Sequence, residues 1–176
     1  MNIQIHKDFT FLAAIHFEKK FMLNLYELSA QMEVLTENVR EQNIAIERMN
    51  YFLGTYIEDA IFIEDTEKEA IQNYNNAGIK TCVIPEEPYD QIIGMILVNK
   101  CNAIMENRII INQIIFGSKL SNLIKFSIDG EVSKLEYPEN NWYNKNTLTV
   151  TEKGKKDKIV NLFDKNTWAE LGLTWK

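Results

Sequence analysis

The amino-acid sequence predicts an α+β domain in which two long helices pack on one face of a mainly antiparallel sheet. Two stretches, 41–63 and 89–105, carry apolar residues at helical spacing or around most of the helix. The stretches before and after them are shorter, rich in β-branched and aromatic residues, and bounded by turn residues, as hairpin strands are. We therefore expect a core domain over 1–137 and a C-terminal extension over 138–176, which holds a short strand and a short terminal helix.

The core domain is predicted to open with a hairpin. Residues 9–17 form its first strand and 21–28 its second, joined by a turn at 18–20. One face of the second strand carries Phe21, Leu23 and Leu25. We expect Leu25, on this face, in the core. Residues 29–41 are polar and predict either a connection or the beginning of the first long helix.

An acidic segment and further strands follow the first long helix. Residues 58–69 are interpreted as solvated rather than as a cation site, because their spacing matches no calcium-loop pattern. Thr66 and Glu69 predict a capped short helix, which ends near Gly78. The remaining predicted elements are strand 79–84, helix 89–105, strand 108–116, strand 123–128 with a turn at 129–130, and strand 132–137. The predicted core includes Leu25, Ile46, Phe52, Ile57, Val83, Ile93, Ile96, Leu97, Ile111, Ile124 and Phe126.

Composition restricts the class of protein. The 176-residue chain is 45% hydrophobic with a net charge of -6, which favours a folded globular protein and argues against general nucleic-acid binding. Cys82 and Cys101 lie in apolar stretches and predict core thiols rather than a disulfide framework or a zinc site. No signal peptide or membrane-spanning stretch is recognisable. We expect a cytoplasmic protein without a membrane contact, or one of the host cytoplasm or virion if a bacteriophage encodes it.

The strongest candidate for a ligand site is the beginning of the second long helix. Pro88 suits the first helical position, and acidic residues around it favour the positive end of the helix dipole. Glu86 and Glu87 therefore have two interpretations, helix-start chemistry or carboxylates that bind a ligand's N–H groups. Convergent polar groups beside an apolar wall are typical of ligand pockets. If a small molecule binds, we expect it at Glu86, Glu87, Tyr89 and Gln91, with His16 as a neighbour.

No catalytic set is recognisable in the sequence. The chain has two histidines, His6 and His16, and no Ser/His/Asp order, Walker loop or Gly-rich dinucleotide loop. We therefore predict no catalytic residues, no cofactor and no bound metal.

The order of elements over about residues 3–128 resembles the tunnelling fold of the 6-pyruvoyl-tetrahydropterin synthases. The run Phe11-Leu-Ala-Ala-Ile-His16 is similar to that family's Phe-x-Ala-Ala-His strand, with one additional residue before the histidine. The resemblance implies a zinc ligand at His16 and a pterin, purine or nucleotide as ligand. The second strand, Phe21-Met-Leu-Asn-Leu25, lacks the family's other two histidines, and the catalytic cysteine has no counterpart. For this reason our prediction of no zinc stands beside the resemblance.

The missing catalytic set favours a non-catalytic binding or interaction protein, such as a small subunit of a bacteriophage particle or another assembly. Aromatic residues in the polar extension support this interpretation: Trp142, Tyr143, Trp168 and Trp175. Tyr and Trp are frequent interface anchors, so we predict a homo-oligomer or a protein partner bound through the extension. The alternative is that these side chains fold back onto the chain's own domain. A tunnelling-fold-like protein that binds or converts a pterin, purine or nucleotide is the second candidate function.

Overall fold

The structure is a computed structural model that describes residues 3–122, 124–131 and 142–147. Its elements, in chain order, are β1 Ile3–Phe17, β2 Lys20–Val34, α1 Val39–Phe52, a π-helix Leu53–Ile57, β3 Ile61–Glu64, α2 Lys68–Asn76, β4 Thr81–Ile84, α3 Asp90–Met105, β5 Ile109–Ser118, β6 Lys125–Asp129 and a 3₁₀ turn Trp142–Asn144. The predicted α+β class is confirmed. The strand predicted at 132–137 and the predicted terminal helix lie outside the described residues.

The six strands form one sheet in the order β4-β3-β1-β2-β5-β6. β1, β2, β5 and β6 are antiparallel neighbours, whereas β3 joins β1, and β4 joins β3, in parallel. A parallel neighbour needs a crossover connection, which α2 provides between β3 and β4. The sheet is therefore mixed, with an antiparallel part built from the strands that the sequence predicted.

The β1–β2 hairpin is much longer than the predicted one, with 15 residues in each strand. Glu18 and Lys19 form its turn with φ of 48° and 61°. Positive φ at both turn residues matches the twist of the two strands. The prediction of a connection over 29–41 is wrong for its first part, because Ala30 and Met32 are fully buried core residues of β2.

The two faces of β2 are the reverse of the expected ones. Tyr26 is fully buried, and its ring stacks on Phe11 and Phe116 at centroid distances of 5.2 and 5.5 Å. Phe21 and Leu23, on the opposite face, are 57% and 62% exposed. Because both faces of this strand carry apolar side chains, the period of two could not by itself identify the core face.

The long helix predicted over 41–63 is several elements. α1 continues into the π-helix, and the chain then enters β3. Ile61, Phe62 and Ile63 are all buried because β3 lies between two strands and is covered on both faces. A short apolar run of this kind is typical of a buried strand and of a buried helix, which explains the error.

Helices cover both faces of the sheet. α1 and α3 contact each other on one face, here called the inner face, as predicted. α2 lies on the outer face, where its Tyr74 reaches His16 of β1. The βαβ unit formed by β3, α2 and β4 thus extends the antiparallel strands on the β1 side.

Most of the predicted core is confirmed, with at most 1% exposure at Phe52, Ile57, Ile93, Ile96, Leu97 and Ile111. Ile46 and Phe126 are partly buried against this cluster, and Leu25 and Val83 are half-buried. The prediction that Ile124 belongs to the core is wrong, because this residue is 58% exposed. The strand begins only at Lys125, so the alternation that buries Ile128 does not extend back to Ile124.

Candidate functional site

The beginning of α3 keeps the predicted ligand residues at the surface. Glu86, Glu87 and Gln91 are exposed, and Tyr89 is 51% exposed. Tyr89 is the N-cap residue, so α3 begins at Asp90. A hydrogen bond from the Tyr89 hydroxyl to the Glu87 carboxylate raises the pKa of Tyr89. The four residues line an open surface rather than an enclosed pocket.

His16 is separated from this surface by the sheet. The His16 side chain points to the outer face under α2, and the residue is 8% exposed. The neighbouring Phe17 packs towards the inner face, where the centroids of its ring and the Tyr89 ring are 5.6 Å apart. The His16 Nδ1 atom is 2.9 Å from the Tyr74 hydroxyl, and Nε2 is 3.9 Å from a Glu67 carboxylate oxygen. The structure therefore groups His16 with Tyr74 and Glu67. Within the described residues, no three His, Cys, Asp or Glu side chains lie close enough together to hold a metal ion.

A buried polar cluster lies under the first turn of α3, and the sequence analysis missed it. Asp90 accepts a hydrogen bond from the Ser118 hydroxyl at 3.0 Å, and Asn24 accepts one from the Leu120 N–H at 3.2 Å. Burial raises the pKa of Tyr26, the Asn24 side chain partly offsets this, and the charge of Asp90 adds to it. Among the described residues, the Tyr26 hydroxyl and one Asp90 oxygen have no well-oriented hydrogen-bond partner. The sequence feature that could have revealed this cluster is the presence of polar residues inside apolar runs.

Lys100 of α3 is fully buried. Its Nζ atom donates hydrogen bonds to the carbonyl oxygens of Trp142 at 2.9 Å, Lys145 at 2.6 Å and Thr147. These three acceptors match the three N–H donors of an ammonium group. Burial lowers the pKa of Lys100 from 10.5 to about 7. The amine thus anchors the 142–147 segment and does not face solvent.

Trp142 and Tyr143 are buried in the chain's own core, at 2% and 1% exposure. The Trp142 indole N–H donates to the Val83 carbonyl at 2.7 Å, on the edge strand β4. A partly buried carbonyl needs a donor, and the indole supplies it while its ring remains in apolar surroundings. These two residues follow the alternative of folding back onto the domain, and they are not the exposed interface anchors that we predicted. Trp168 and Trp175 lie outside the described residues.

A partly buried ion-pair network joins α1 to the turn after α3. The Glu106 carboxylate pairs with both Arg48 and Arg108, and Arg108 also contacts Glu41 at 2.5 Å. Glu106 is the C-cap residue of α3 and has a left-handed φ of 53°. Asn146 donates to the other Glu106 oxygen at 3.3 Å. These charges are satisfied inside the domain, so we interpret them as structural.

A shallow cleft of about 160 Å³ opens beside β1 and the π-helix. It is lined by Phe9, Thr10, Phe11, Asn50, Leu53, Gly54 and Glu58. π-Helical turns are frequent at functional sites. A cleft of this size accommodates one side chain of a partner better than a larger ligand.

The outer apolar surface is our name for a patch of the outer face formed by Leu12, Phe21, Leu23, Leu25 and Ile124. Leu12, Phe21, Leu23 and Ile124 are 41%, 57%, 62% and 58% exposed. Leu12 pairs directly with Leu25 across the β1–β2 ladder, and Leu25 shares a small surface depression with Ile124. The patch is therefore continuous from β1 to the chain before β6. Contiguous exposed apolar surface is typical of an interaction site.

Comparison with known proteins adds a fold likeness. No protein-family model and no curated protein matches the chain. Among solved structures, the fold is similar to that of an uncharacterised protein, WS1659 from Wolinella succinogenes, with a TM-score of 0.53. The likeness covers 73% of this chain and 98% of that one, at 8% sequence identity. It shows the fold alone. Within the described part of the chain, no helix is both long and apolar enough to span a membrane.

Proposed function

We propose that the chain is a non-catalytic interaction protein, a small subunit that self-associates by packing its outer apolar surface against a second copy. The exposure of Phe21 and Leu23 on one strand carries this proposal. Two sheets with apolar faces pack face to face at a spacing of about 10 Å, with their side chains interdigitated. The outer apolar surface offers such a face.

The rim of the surface supports a second copy as the partner. Lys125 and Glu27 lie beside the apolar residues, with Nζ and a carboxylate oxygen 2.7 Å apart, and both side chains are about half exposed. A rim that carries both signs can face its own copy without opposing two fields of the same sign. The apolar centre and the charged rim together have the anatomy of a protein interface.

The reactive side chains of the described residues support a non-catalytic role. Burial raises the pKa of Cys82 and Cys101 to about 12, so neither thiol forms a nucleophilic thiolate near neutral pH. Lys100 has a lowered pKa but donates inward to three carbonyl groups. His16 lies under α2, against Tyr74. Each of these groups is buried in the domain.

The experiment compares the mass in solution of three full-length proteins by sedimentation velocity over a wide concentration range. We expect the wild type to exceed the 20.6 kDa of one chain and Phe21→Ser/Leu23→Ser to sediment at a lower mass than the wild type. A matched control, Leu35→Ser/Val39→Ser, changes two other exposed apolar residues (50% and 66% exposed) and should behave as wild type. A wild type that is monomeric throughout, or a Phe21→Ser/Leu23→Ser protein that associates normally, contradicts the proposal.

A ligand-binding protein with the tunnelling-fold layout is the second candidate. The observation that favours it is the antiparallel run β1-β2-β5-β6 with α1 and α3 on one face, to which β3, α2 and β4 are added. A thermal-shift screen with pterins, purines and nucleotides tests it. Loss of a shift in Glu87→Ala supports a site at the beginning of α3. A shift that survives changes at Glu86, Glu87, Tyr89 and Gln91 places the ligand elsewhere.

A further inference from the structure

Among the described residues, one edge of β1 has no neighbouring strand along more than half of its length. On this side, β3 pairs only with 14–16. Just before that, the Asp59 N–H donates to the Leu12 carbonyl at 2.8 Å, and the Glu58 carboxylate accepts from the Leu12 N–H at 3.4 Å. Among the described residues, no strand pairs with this edge over 3–10.

The backbone groups at the open edge belong to the even-numbered residues. Ala14 and Leu12 direct their N–H and C=O groups to this side, and every second residue of a strand does the same. The open donors and acceptors therefore lie at Gln4, His6, Asp8 and Thr10, whose side chains are exposed. An open edge of this length is a template for another strand.

We infer that two copies of this chain pair their β1 edges, antiparallel about a two-fold axis at Lys7, and join the six described strands of each copy into one continuous sheet. In this register Gln4 lies opposite the second copy's Thr10, and His6 lies opposite its Asp8, each pair occurring twice. Every hydrogen-bonded antiparallel pair exchanges two backbone bonds. The whole open edge is then satisfied.

The two His6–Asp8 pairs favour this register over its neighbours, although the two Lys7 ammonium groups then face each other across the axis. With the axis at Lys7, the His6 imidazole can donate a hydrogen bond to the Asp8 carboxylate of the second copy. An axis at Asp8 would place two Asp8 carboxylates opposite each other. It would also place Gln4 opposite Leu12, whose backbone N–H and C=O groups are already hydrogen-bonded to Glu58 and Asp59. An axis at His6 loses both His–Asp pairs.

The inner-face side chains fit the same register. Ile5 of the second copy would lie opposite Phe9, at the mouth of the 160 Å³ cleft whose apolar lining includes Phe11 and Leu53. Ile5 and Phe9 are both partly buried against the core in the single chain. Pairing would complete their burial and fill the cleft, since a cavity of this size takes a small apolar group.

The inference rests on the proposed self-association and adds a second contact surface to it. A two-fold axis normal to the sheet leaves the outer apolar surfaces of both copies on the same side. Two such edge-paired dimers can then pack face to face into a closed tetramer.

A single cysteine on the proposed axis tests the register. The central residues of an antiparallel pair without mutual hydrogen bonds have Cα atoms about 4.5 Å apart, within reach of a disulfide. We expect full-length Lys7→Cys to give a disulfide-linked dimer under mild oxidation. His6→Cys alone and Asp8→Cys alone should link poorly, and a mixture of the two should link well. The native Cys82 and Cys101 are buried and do not compete.

A charge exchange tests the same register without oxidation. His6→Asp places a carboxylate opposite Asp8 of the second copy in both of the symmetric pairs. The substitution should therefore raise the dimer dissociation constant about tenfold. The double variant His6→Asp/Asp8→His restores the pairs and should restore the affinity. His6, Lys7 and Asp8 are exposed or half-exposed on the open edge, so the fold should tolerate the substitutions in both tests.

The experiments distinguish a failure of the β1 edge pairing from a failure of the contact through the outer apolar surface. Edge pairing is overturned if Lys7→Cys stays monomeric under oxidation, or if all three single-cysteine proteins link equally. In the Phe21→Ser/Leu23→Ser background, Lys7→Cys should still link. An unlinked Lys7→Cys protein that nevertheless associates through Phe21 and Leu23 would overturn the edge pairing and leave the proposed function standing.

Discussion

Lys100→Met tests whether the buried amine holds the 142–147 segment on the core. Methionine is of similar length and apolar, so the substitution removes three hydrogen bonds with little change in side-chain volume. The Trp142 carbonyl loses its donor in a buried position, and the Lys145 and Thr147 carbonyls lose theirs in partly buried positions. A buried unsatisfied polar group costs about 1–3 kcal/mol. We therefore expect the free energy of unfolding at pH 7 to fall by about 2–4 kcal/mol.

The pH dependence of this stability has a defined sign. The pKa of Lys100 is 10.5 when the amine is solvated and about 7 in the folded chain. Between these values the unfolded chain binds more protons than the folded one, so the Lys100 contribution to stability increases as the pH rises from 7. The increase is at most about 5 kcal/mol, and the three carbonyl acceptors reduce it because they favour the ammonium form. Lys100→Met should lack this increase.

Urea unfolding followed by far-ultraviolet circular dichroism, at several pH values from 7 upwards, measures both effects. The matched control is Lys145→Met, the same substitution at an exposed side chain of the anchored segment, which should change stability by less than about 0.5 kcal/mol. Equal stability of Lys100→Met and wild type at pH 7 would refute the anchoring role, whereas an identical pH slope in the two proteins would refute the lowered pKa of Lys100.

Three further predictions concern the core and its buried groups. Leu28→Ala, at a residue 3% exposed, should cost about 3 kcal/mol in denaturant unfolding. Leu23→Ala, 62% exposed on the same strand, should cost under about 0.5 kcal/mol, and equal losses would contradict our face assignment. Because burial raises the pKa of Cys82 and Cys101 to about 12, a thiol reagent should label them slowly in native protein and rapidly in denaturant; rapid native labelling would count against their burial. Glu106→Gln removes the carboxylate that faces two arginines and should cost about 3–5 kcal/mol in thermal unfolding, whereas an unchanged midpoint would show that the network adds nothing.

The elements that the sequence predicted well are those with a long local signal. α3 combines an apolar run with acidic residues at its beginning, and Ile96 and Leu97 are fully buried as expected. The turn at Glu18 and Lys19 was marked by charged residues between two apolar runs. Such signals act within a few residues, so they survive whatever the rest of the chain does.

The errors concern features that depend on distant contacts. The inner face of β2 is decided by Tyr26 stacking between Phe11 and Phe116, which come from other strands. The strand state of 61–63 is decided by parallel neighbours on both sides, which no local pattern encodes.

The candidate sites were hidden for the same reason. Once the faces of β2 were reversed, Phe21 and Leu23 moved from the expected core side to the outer apolar surface. Trp142 looked like an exposed anchor because its neighbours in sequence are polar. Its burial depends on Lys100 and Val83, about 40 and 59 positions away in the chain. A lysine inside the apolar run of α3 was the one local sign of a buried polar partner.

Hydroxyl-radical footprinting of the unmodified chain tests most directly whether the outer apolar surface is covered in the working protein. Oxidation of Phe21 and Leu23 is compared between concentrated and highly diluted protein, with Tyr89, 51% exposed at the beginning of α3, as the reference. We expect Phe21 and Leu23 to be protected in the concentrated sample and Tyr89 to be oxidised equally in both. Equal oxidation of Phe21 and Leu23 at the two concentrations would contradict it.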